Sequence, residues 1–556
     1  MGITALINKY TPTKKTEDLK EYFNISSDDE VALIVNNELS DYKAKIIDKK
    51  IYVDYKFVHD SLNSRFYWDA NENVLLYTTA SDIISAAADS NSYSVTKQTN
   101  DFGYPIVKAT SDSALIALDY VKQYSNITFK SYDDPARIVI TSKWDEIDSA
   151  TVSKSTQVRV KGGIKSPILK EVKKDDKITI LDSGDKWDKV ATEDGVIGYI
   201  KRKALSESKK TKLTNPDYEE ETFTHIKKDK DICLAWNQVT SQSANSKVPQ
   251  VISSTKGINV MSPTWFYLND NNGNLADIAS KDYVSYCHSQ GIEVWGLFSN
   301  LENTNVDAAY VLTHTSTRTT LINQIMSAAF NYELDGVNID FENITEAAYG
   351  DSYIEFIREL SIKCHNNGIS LSVDVTVPAS FNKFFNRSDM AKFADYIVIM
   401  GYDEHYKGSD AGSVSSIPWV TEGVESTLKE VPADQIILGM PFYTRIWELT
   451  PKEDDDAVTD TEDQSKYTVA SQVYSMDAAA AQLATNNATA ALDEESGQNY
   501  AEWSASNKLY KVWLEDSTSL EKRLKLVDDN KLAGAAFWKL GFENSFVWDT
   551  VIKYLD

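Results

Sequence analysis

The chain has 556 residues, too many for one hydrophobic core, so two to four domains are expected. Hydrophobic residues make up 42% and charged residues 25%, the balance of a soluble globular protein, and the formal net charge is −26. Such a polyanionic surface argues against nucleic-acid binding, which needs clustered Lys and Arg, and against simple adsorption to anionic membranes. No apolar run approaches the roughly 20 residues of a membrane span. The start, "MGITALINKYTPTKK", lacks a basic stretch followed by a long apolar one. The chain is therefore either cytoplasmic or exported by a signal that this sequence does not include, and the modules below favour export. Cys233, Cys287 and Cys364 form no C-x-x-C or zinc spacing, and their odd number excludes full pairing. Cys233 and Cys364 sit among apolar or helical neighbours and read as buried thiols. The six His residues are scattered, so no metal site and no cofactor are expected.

Up to about residue 150, "VALIVNNEL" (31–39), "KIIDKKIYVDYKFVHDSL" (45–62) and "FYWDANENVLLYTT" (66–79) alternate as strands, with "VNNE" and "DANEN" as turns. "SALIALDYVKQYSNITFKSYDDPARIVITS" (113–142) reads as a helix followed by strands. The order of strand, polar turn, "IIDKKIYV", short helix and Trp68 before a strand resembles the small α+β domain at the N-terminus of copper amine oxidases. That resemblance implies a scaffold or wall-contact module over 1–150. It does not imply copper, and no ligand cluster stands in these residues.

Residues 151–206 give short strands broken by Gly and Asp turns, the pattern of a small all-β barrel. Val158 and Arg159, then Trp187 with Lys189 and Val190, then "EDGVIGYI" (193–200) resemble a bacterial SH3 domain; Gly195 and Gly198 suit tight turns. The resemblance implies binding of cell-wall peptides, with Trp187 either core or ligand platform. Residues 207–228, "ESKKTKLTNPDYEEETFTHIKK", are charged, almost free of apolar periodicity, and read as a linker.

From 229 to 556 apolar stretches alternate with helical ones: "DICLAWNQV" (231–239), "GINVMSPTWFYL" (257–268), "GIEVWGLFSN" (291–300), "LDGVNIDFEN" (334–343), "GISLSVDVTVP" (368–378), "ADYIVIMGYDE" (394–404), "QIILGMPFYTRIW" (435–447) and "LAGAAFWKLGFE" (532–543). Near-continuous apolar strands separated by helices indicate a parallel sheet covered on both faces, and eight of them indicate a (β/α)8 TIM barrel. The long gap before the eighth holds "KYTVASQVYSMD" and "LYKVWLED", which indicates a small α+β insertion at about 450–512.

Active residues of such barrels stand at the C-terminal ends of the strands. Polar letters fall there: Asp340 and Glu342 on the fourth stretch, Tyr402 and Asp403 on the sixth, Tyr443 and Arg445 on the seventh, Trp538 on the eighth. In "LDGVNIDFE", the period of two puts Asn338, Asp340 and Glu342 on one face and Val337, Ile339 and Phe341 on the other. Crowded carboxylates cannot all ionise, so one pKa must rise. Glu342, nearest the barrel mouth, is then the natural proton donor, with Asp340 about 7 Å back along the same face. No carboxylate is placed opposite as a nucleophile.

These residues resemble glycoside hydrolase family 18. The signature D-x-x-D-x-D-x-E is matched at Asp335, Asp340 and Glu342, with Asn338 where many members carry Asp, and "MGYD" (400–403) matches M-x-Y-D. "SPTWFYL", "VWGLFSN", "GMPFYTRIW" and "VWLEDSTSLEKRL" resemble the branch of spore-cortex and cell-wall N-acetylglucosaminidases. The resemblance implies substrate-assisted retaining hydrolysis, in which the sugar's 2-acetamido group attacks C1. Glu342 would be the acid and base, Asp340 would orient the amide, Tyr402 would bond its oxygen with help from Asp403, and Trp538 would stack on the sugar. Asn338 would donate a hydrogen bond to Asp340, and Asp335 and Gly336 would shape the strand. Tyr443 and Arg445 would bind sugar or brace the insertion, and Trp265 would be core or a subsite wall. The implied substrate is an N-acetylglucosamine-containing polysaccharide, peptidoglycan first, met outside a Gram-positive-type cell, on its wall or on a spore. Chitin is the alternative substrate, and a lectin that binds without turnover is the alternative of another class.

Overall fold

The computed structural model describes residues 10–344, 347–452 and 463–555. The chain divides into two compact units, one ending at Thr222 and the other beginning at Phe223. Residues 1–9 of the expected 1–150 region and residues 453–462 of the expected insertion lie outside the described residues.

Among the described residues the first unit holds three sheets. A seven-stranded mixed sheet includes Glu30–Val35, Glu38–Ile47 and Lys50–Asp54, and a five-stranded antiparallel meander runs from Phe66–Asp69 to Gln98–Asp101. Both bury a shared core that includes Leu33, Val53, Phe66, Leu75 and Ile116. Over 113–142 the chain forms strand Ala114–Ala117, helix Leu118–Tyr124, then strands Thr128–Tyr132 and Arg137–Thr141. The third sheet, seven-stranded and antiparallel, spans Glu146–Thr151 to Lys209–Lys212. Trp187 lies half-buried in it, with the Lys201 ammonium 5.6 Å from its ring centre.

The expected linker at 207–228 is not free chain. Lys209–Lys212 pairs with Glu146–Thr151 as an edge strand. Phe223 packs on Phe393 at 5.0 Å, His225 bonds the Ala391 carbonyl, and Ile226 N–H donates to Asp395. Low apolar periodicity concealed these contacts because they are made by single side chains and backbone groups.

The second unit is a closed parallel barrel of β1 (Ile232–Asn237), β2 (Val260–Leu268), β3 (Glu293–Ser299), β4 (Gly336–Asp340), β5 (Ser370–Thr376), β6 (Tyr396–Met400), β7 (Ile436–Pro441) and β8 (Gly534–Trp538). The β1–β2 and β1–β8 pairings close the ring. Outward residues such as Val337, Ile339 and Phe341 join the core beneath the helices, where Phe341 stacks on Phe356. A repeated device fixes register at the barrel's lower end. The residue just before each of β2, β4 and β6 turns its side-chain oxygen onto a backbone N–H of the preceding strand: Asn259 onto Cys233, Asp335 onto Val294, and Asp395 onto Leu371, each at 2.8 Å. Asp335 also accepts from His288 at 2.8 Å. It is a brace, far from the strand's chemical end.

The lumen is filled, as barrels of this size require. Ile232, Leu234, Val260, Leu297, Val398 and Ile437 supply apolar layers, and Trp295 stacks on Tyr396 at 5.6 Å. The Trp295 ring occupies the space over Gly336, where an added Cβ would come within 2.6 Å of it.

The seventh stretch divides. β7 ends at Pro441, and Tyr443–Pro451 opens a separate five-stranded antiparallel sheet with Tyr467–Ser475, Lys508–Leu514, Gln498–Ala505 and Ala491–Asp493. The insertion therefore begins near 443 and ends near 514, with helix Met476–Thr485 inside it. Tyr443 and Arg445 belong to this sheet and not to the end of β7. Arg523 on the next helix grips Glu515 with both terminal nitrogens, at 2.7 and 2.9 Å, and this buried pair anchors the insertion's exit.

Gly336→Ala should lower the barrel's stability by about 1–3 kcal/mol, because Trp295 must shift in a filled lumen. A denaturant midpoint equal to wild type would mean that Trp295 moves aside at no cost.

Candidate active site

A cleft of about 490 Å³ opens at the C-terminal end of the barrel. Its acidic wall is Asp340 at the end of β4, Glu342 just after it and Asp374 from β5; Tyr402, Asp403 and Glu404 follow β6. Four strands away in either direction from β4 stands β8, which contributes Trp538, and beside it β1 contributes Trp236. One wall is thus carboxylate and the facing wall indole. Phe381 and Tyr406, 78% and 57% exposed, stand at the rim with Trp419. Such exposed aromatic faces beside a polar cleft suit binding of a ring with an apolar face.

Beneath the acids, Asn338 is fully buried and all its hydrogen-bonding capacity is used. Its oxygen accepts from Trp236 Nε1 at 2.9 Å and Ser262 Oγ at 3.0 Å, and its nitrogen donates to Ser372 Oγ at 3.0 Å and Asp374 Oδ1 at 2.7 Å. The expected donation to Asp340 is absent because both amide hydrogens go to β5. Asn338 meets no substrate; it ties the aromatic wall to the acidic one. Trp236 in turn lies edge-on to Tyr402 and Trp538, at 6.5 and 5.9 Å.

Glu342 is held through its backbone. Its N–H donates to Asn300 Oδ1 at 2.9 Å, and its carbonyl accepts from Asn300 Nδ2 at 2.8 Å. Burial, then Asp403 and Glu302, raises the Glu342 carboxyl above its ordinary pKa. Burial, Glu342 and Glu302 raise Asp340 well above the usual range. Burial and Asp340 do the same to Asp374, against the lowering effect of the Asn338 bond. The Tyr402 phenol is held neutral by burial and by Asp340 and Asp374. A cleft that raises the pKa of its carboxyl groups makes them tighter holders of the proton that a leaving oxygen needs.

Asp403 adopts φ of +61°, a left-handed conformation that Asp tolerates better than most residues. Tyr443 donates to its Oδ1, and Arg445 approaches the same oxygen at 3.9 Å. Arg445 also bonds Ser471 Oγ. These two residues brace Asp403 from the insertion and do not line the cleft themselves. Glu404 accepts from the N–H and Oγ of Ser416 and holds the loop after β6.

Of the residues expected to act, the structure brings Glu342, Asp340, Tyr402, Asp403 and Trp538 together. Trp265 is not among them. It is fully buried among Phe266 and Tyr283, with its Nε1 on Asn245, and it is core. Sequence reasoning missed Asp374, Asn300 and Trp236. An acid inside the apolar run "LSVDVTV" was the available signal for Asp374, and Asn300 at the end of "GLFSN" had the right strand-end position. Among the described residues no group of three or more His, Cys, Asp or Glu side chains is arranged to hold a metal.

Residues 301–543 match the family model described as Glycosyl hydrolases family 18. The chain is 24% identical over 301 residues to the uncharacterized glycosylase YvbX of Bacillus subtilis (strain 168), covering 51% of this chain and 81% of that one. It is 24% identical over 287 residues to the cortical fragment-lytic enzyme of the same organism, covering 50% of this chain and 63% of that one. The crystal structure of the Bacillus cereus spore cortex-lytic enzyme SleL superposes with a TM-score of 0.52 at 18% identity, over 63% of this chain and 77% of that one, a likeness of fold.

The raised Glu342 pKa has a measurable sign. The folded state binds this proton more tightly than the unfolded state. The resulting stability is fully present below the unfolded carboxylate pKa and is lost as pH rises through the raised folded value. Glu342→Gln removes that loss. Its melting temperature should equal wild type near about pH 4 and exceed it by a growing margin towards about pH 8. A margin independent of pH would show that Glu342 titrates as an ordinary carboxyl.

Proposed function

We propose that this chain, a glycosidase by its family 18 domain, cleaves β-1,4 bonds after N-acetylglucosamine in bacterial peptidoglycan with retention of configuration. The observation that carries this reading is the division of the cleft. Asp340 on β4, Glu342 just after it and Asp374 on β5 form one wall, and the wall facing them is Trp538 and Trp236. A retaining enzyme with its own nucleophile needs a second carboxyl about 5–5.5 Å from the acid, across the sugar. With indoles there instead, the nucleophile is the sugar's own acetamido oxygen, which attacks C1 from within the substrate.

The roles follow from position. Glu342, backbone-clamped by Asn300, gives its proton to the glycosidic oxygen and later takes one from water. Asp340 faces the amide N–H and the positive oxazolinium ion that forms. Tyr402, neutral and directed at the same space, donates to the acetamido oxygen, and Asp403 supports that group while Tyr443 and Arg445 hold it. Trp538 carries the sugar's apolar face. The cortical fragment-lytic relative favours peptidoglycan of the spore or wall as the polymer and a wall- or spore-associated site of action. We also assign 1–150 to the amine-oxidase-type N-terminal module and 151–206 to a bacterial SH3-like domain that contacts wall peptides. The chain's negative charge makes such recognition local, through the cleft and Trp187, since the bulk surface repels an anionic wall.

The test is digestion of spore-cortex and vegetative peptidoglycan, beside N-acetylglucosamine oligomers, with mass spectrometry of fragments before and after borohydride reduction. New reducing N-acetylglucosamine ends from peptidoglycan are expected, with Glu342→Gln slower by about 10²–10⁴-fold. Products from the oligomers alone would make it a chitinase. Binding without products would make it a lectin.

A further inference from the structure

Residues 11–17 form a strap along one edge of the third sheet of the first unit. The edge strand there is Ile168–Val172, which pairs on its other side with Thr156–Arg159. The strap runs parallel to it, with Thr16 opposite Ile168. Thr13 N–H donates to the Ile164 carbonyl, Ile168 N–H to the Lys15 carbonyl and Glu17 N–H to the Ile168 carbonyl, each at 2.8 Å. The Lys165 ammonium donates to the Thr11 carbonyl at 2.7 Å. Among the described residues no side chain of 11–17 joins a hydrophobic core, and the chain first enters one at Leu19, Tyr22 and Phe23. The strap can therefore lift while that anchor stays seated. Beneath it lies Arg159, 3% exposed. Its guanidinium touches no carboxylate among the described residues. Nη1 donates to the Ser166 carbonyl at 2.7 Å, Nη2 reaches Gln157 Oε1 at 3.4 Å, and both nitrogens point at the single Thr13 carbonyl oxygen from 3.3 Å. Glu171, the acid whose charge acts on Arg159, is bonded instead by Gln157. Covering a sheet edge needs only backbone pairing, and burying a cation without an anion is costly. A guanidinium fork fits the two oxygens of a carboxylate, and one neutral carbonyl fills half of it.

We infer that this edge is a binding site for a short extended peptide ending in a free carboxylate, and that residues 11–17 occupy it in the peptide's absence. The inference rests on the reading of 151–206 as a domain that contacts wall peptides, and the uncross-linked peptides of a bacterial wall supply that chemistry. The peptide runs opposite to the strap. Its carboxylate takes both terminal nitrogens of Arg159 where the Thr13 carbonyl stood, and its backbone exchanges bonds with Ile168 as an antiparallel edge strand. Lys161 and Lys165, on the turn between the two paired strands, favour an anionic ligand in a chain whose net charge is −26. Gly162 of the same turn lies against Trp187, where an added Cβ would come within 3.2 Å of the Trp187 side chain. The strap and the indole therefore border one turn.

In the full-length chain, Thr13→Pro with Glu17→Pro removes two N–H donors of the strap and leaves Arg159 in place. A synthetic wall stem peptide with a free C-terminus, and the same peptide amidated at that end, are titrated calorimetrically against it. The double variant should bind the free peptide about 10-fold more tightly than wild type, because a competing segment lowers apparent affinity by the fraction of sites it fills. It should prefer the free to the amidated form by about 10-fold, and adding Arg159→Gln should erase that preference. Hydrogen exchange at the Ile168 amide should quicken in the double variant and slow again with the free peptide. Amides of the central strand Trp187–Thr192 should stay protected throughout, which controls for misfolding. Equal binding of free and amidated peptide overturns the carboxylate site at Arg159. Equal affinity of wild type and double variant overturns the strap's occupancy of the edge. If the stem peptide does not bind but tetra-alanine with a free carboxylate does, the wall-peptide reading falls and the site stands. If neither binds, the site falls.

Discussion

The second unit depends on one buried amide. Asn338 sits at the centre of the lumen and makes four hydrogen bonds, to β1, β2 and twice to β5. A buried polar group is tolerable only when satisfied, and here full satisfaction also fixes positions. Trp236 cannot turn without breaking its bond to Asn338, and Trp236 is the surface on which Tyr402 and Trp538 lean. Asp374 cannot leave without stranding an amide hydrogen. The floor of the cleft is therefore rigid before any substrate arrives, which is what preorganised electrostatic catalysis requires.

Above that floor the cleft shifts its acids towards the protonated form. Asp340, Glu342 and Asp374 each bind protons more tightly than free carboxyls, first because they are buried and then because other carboxylates crowd them, Glu342 by Asp403 and Glu302, Asp340 by Glu342 and Glu302, and Asp374 by Asp340. Gathering them destabilises the folded chain at neutral pH. The barrel offsets this with the apolar layers below. The same strain is what makes a proton available to a poor leaving group.

The insertion takes part in the site without lining it. Tyr443 and Arg445 reach Asp403 from the first strand of the inserted sheet, and Asp403 holds a left-handed backbone conformation there. The loop after β6 is thereby held from two sides, by the insertion at Asp403 and by Ser416 at Glu404. A strand-end acid that would otherwise swing in solvent is given a fixed direction.

Much of this was legible in the residues alone. The alternation in "LDGVNIDFE" determined which side chains face the lumen, because successive side chains of any strand point to opposite faces. The eight apolar stretches determined a parallel barrel, and strand-end placement singled out Glu342, Asp340, Tyr402 and Trp538. The burial of Trp265, the assignment of Tyr443 and Arg445 to a separate sheet, the Asn300 clamp and the bond from Asn338 to Asp374 were decided only by the tertiary structure. Facing within a strand is a property of local covalent geometry. Neighbours across strands are set by hydrogen-bond register between segments dozens of residues apart, here pinned by Asn259, Asp335 and Asp395 at the barrel's lower end, and no period along the chain encodes that alignment.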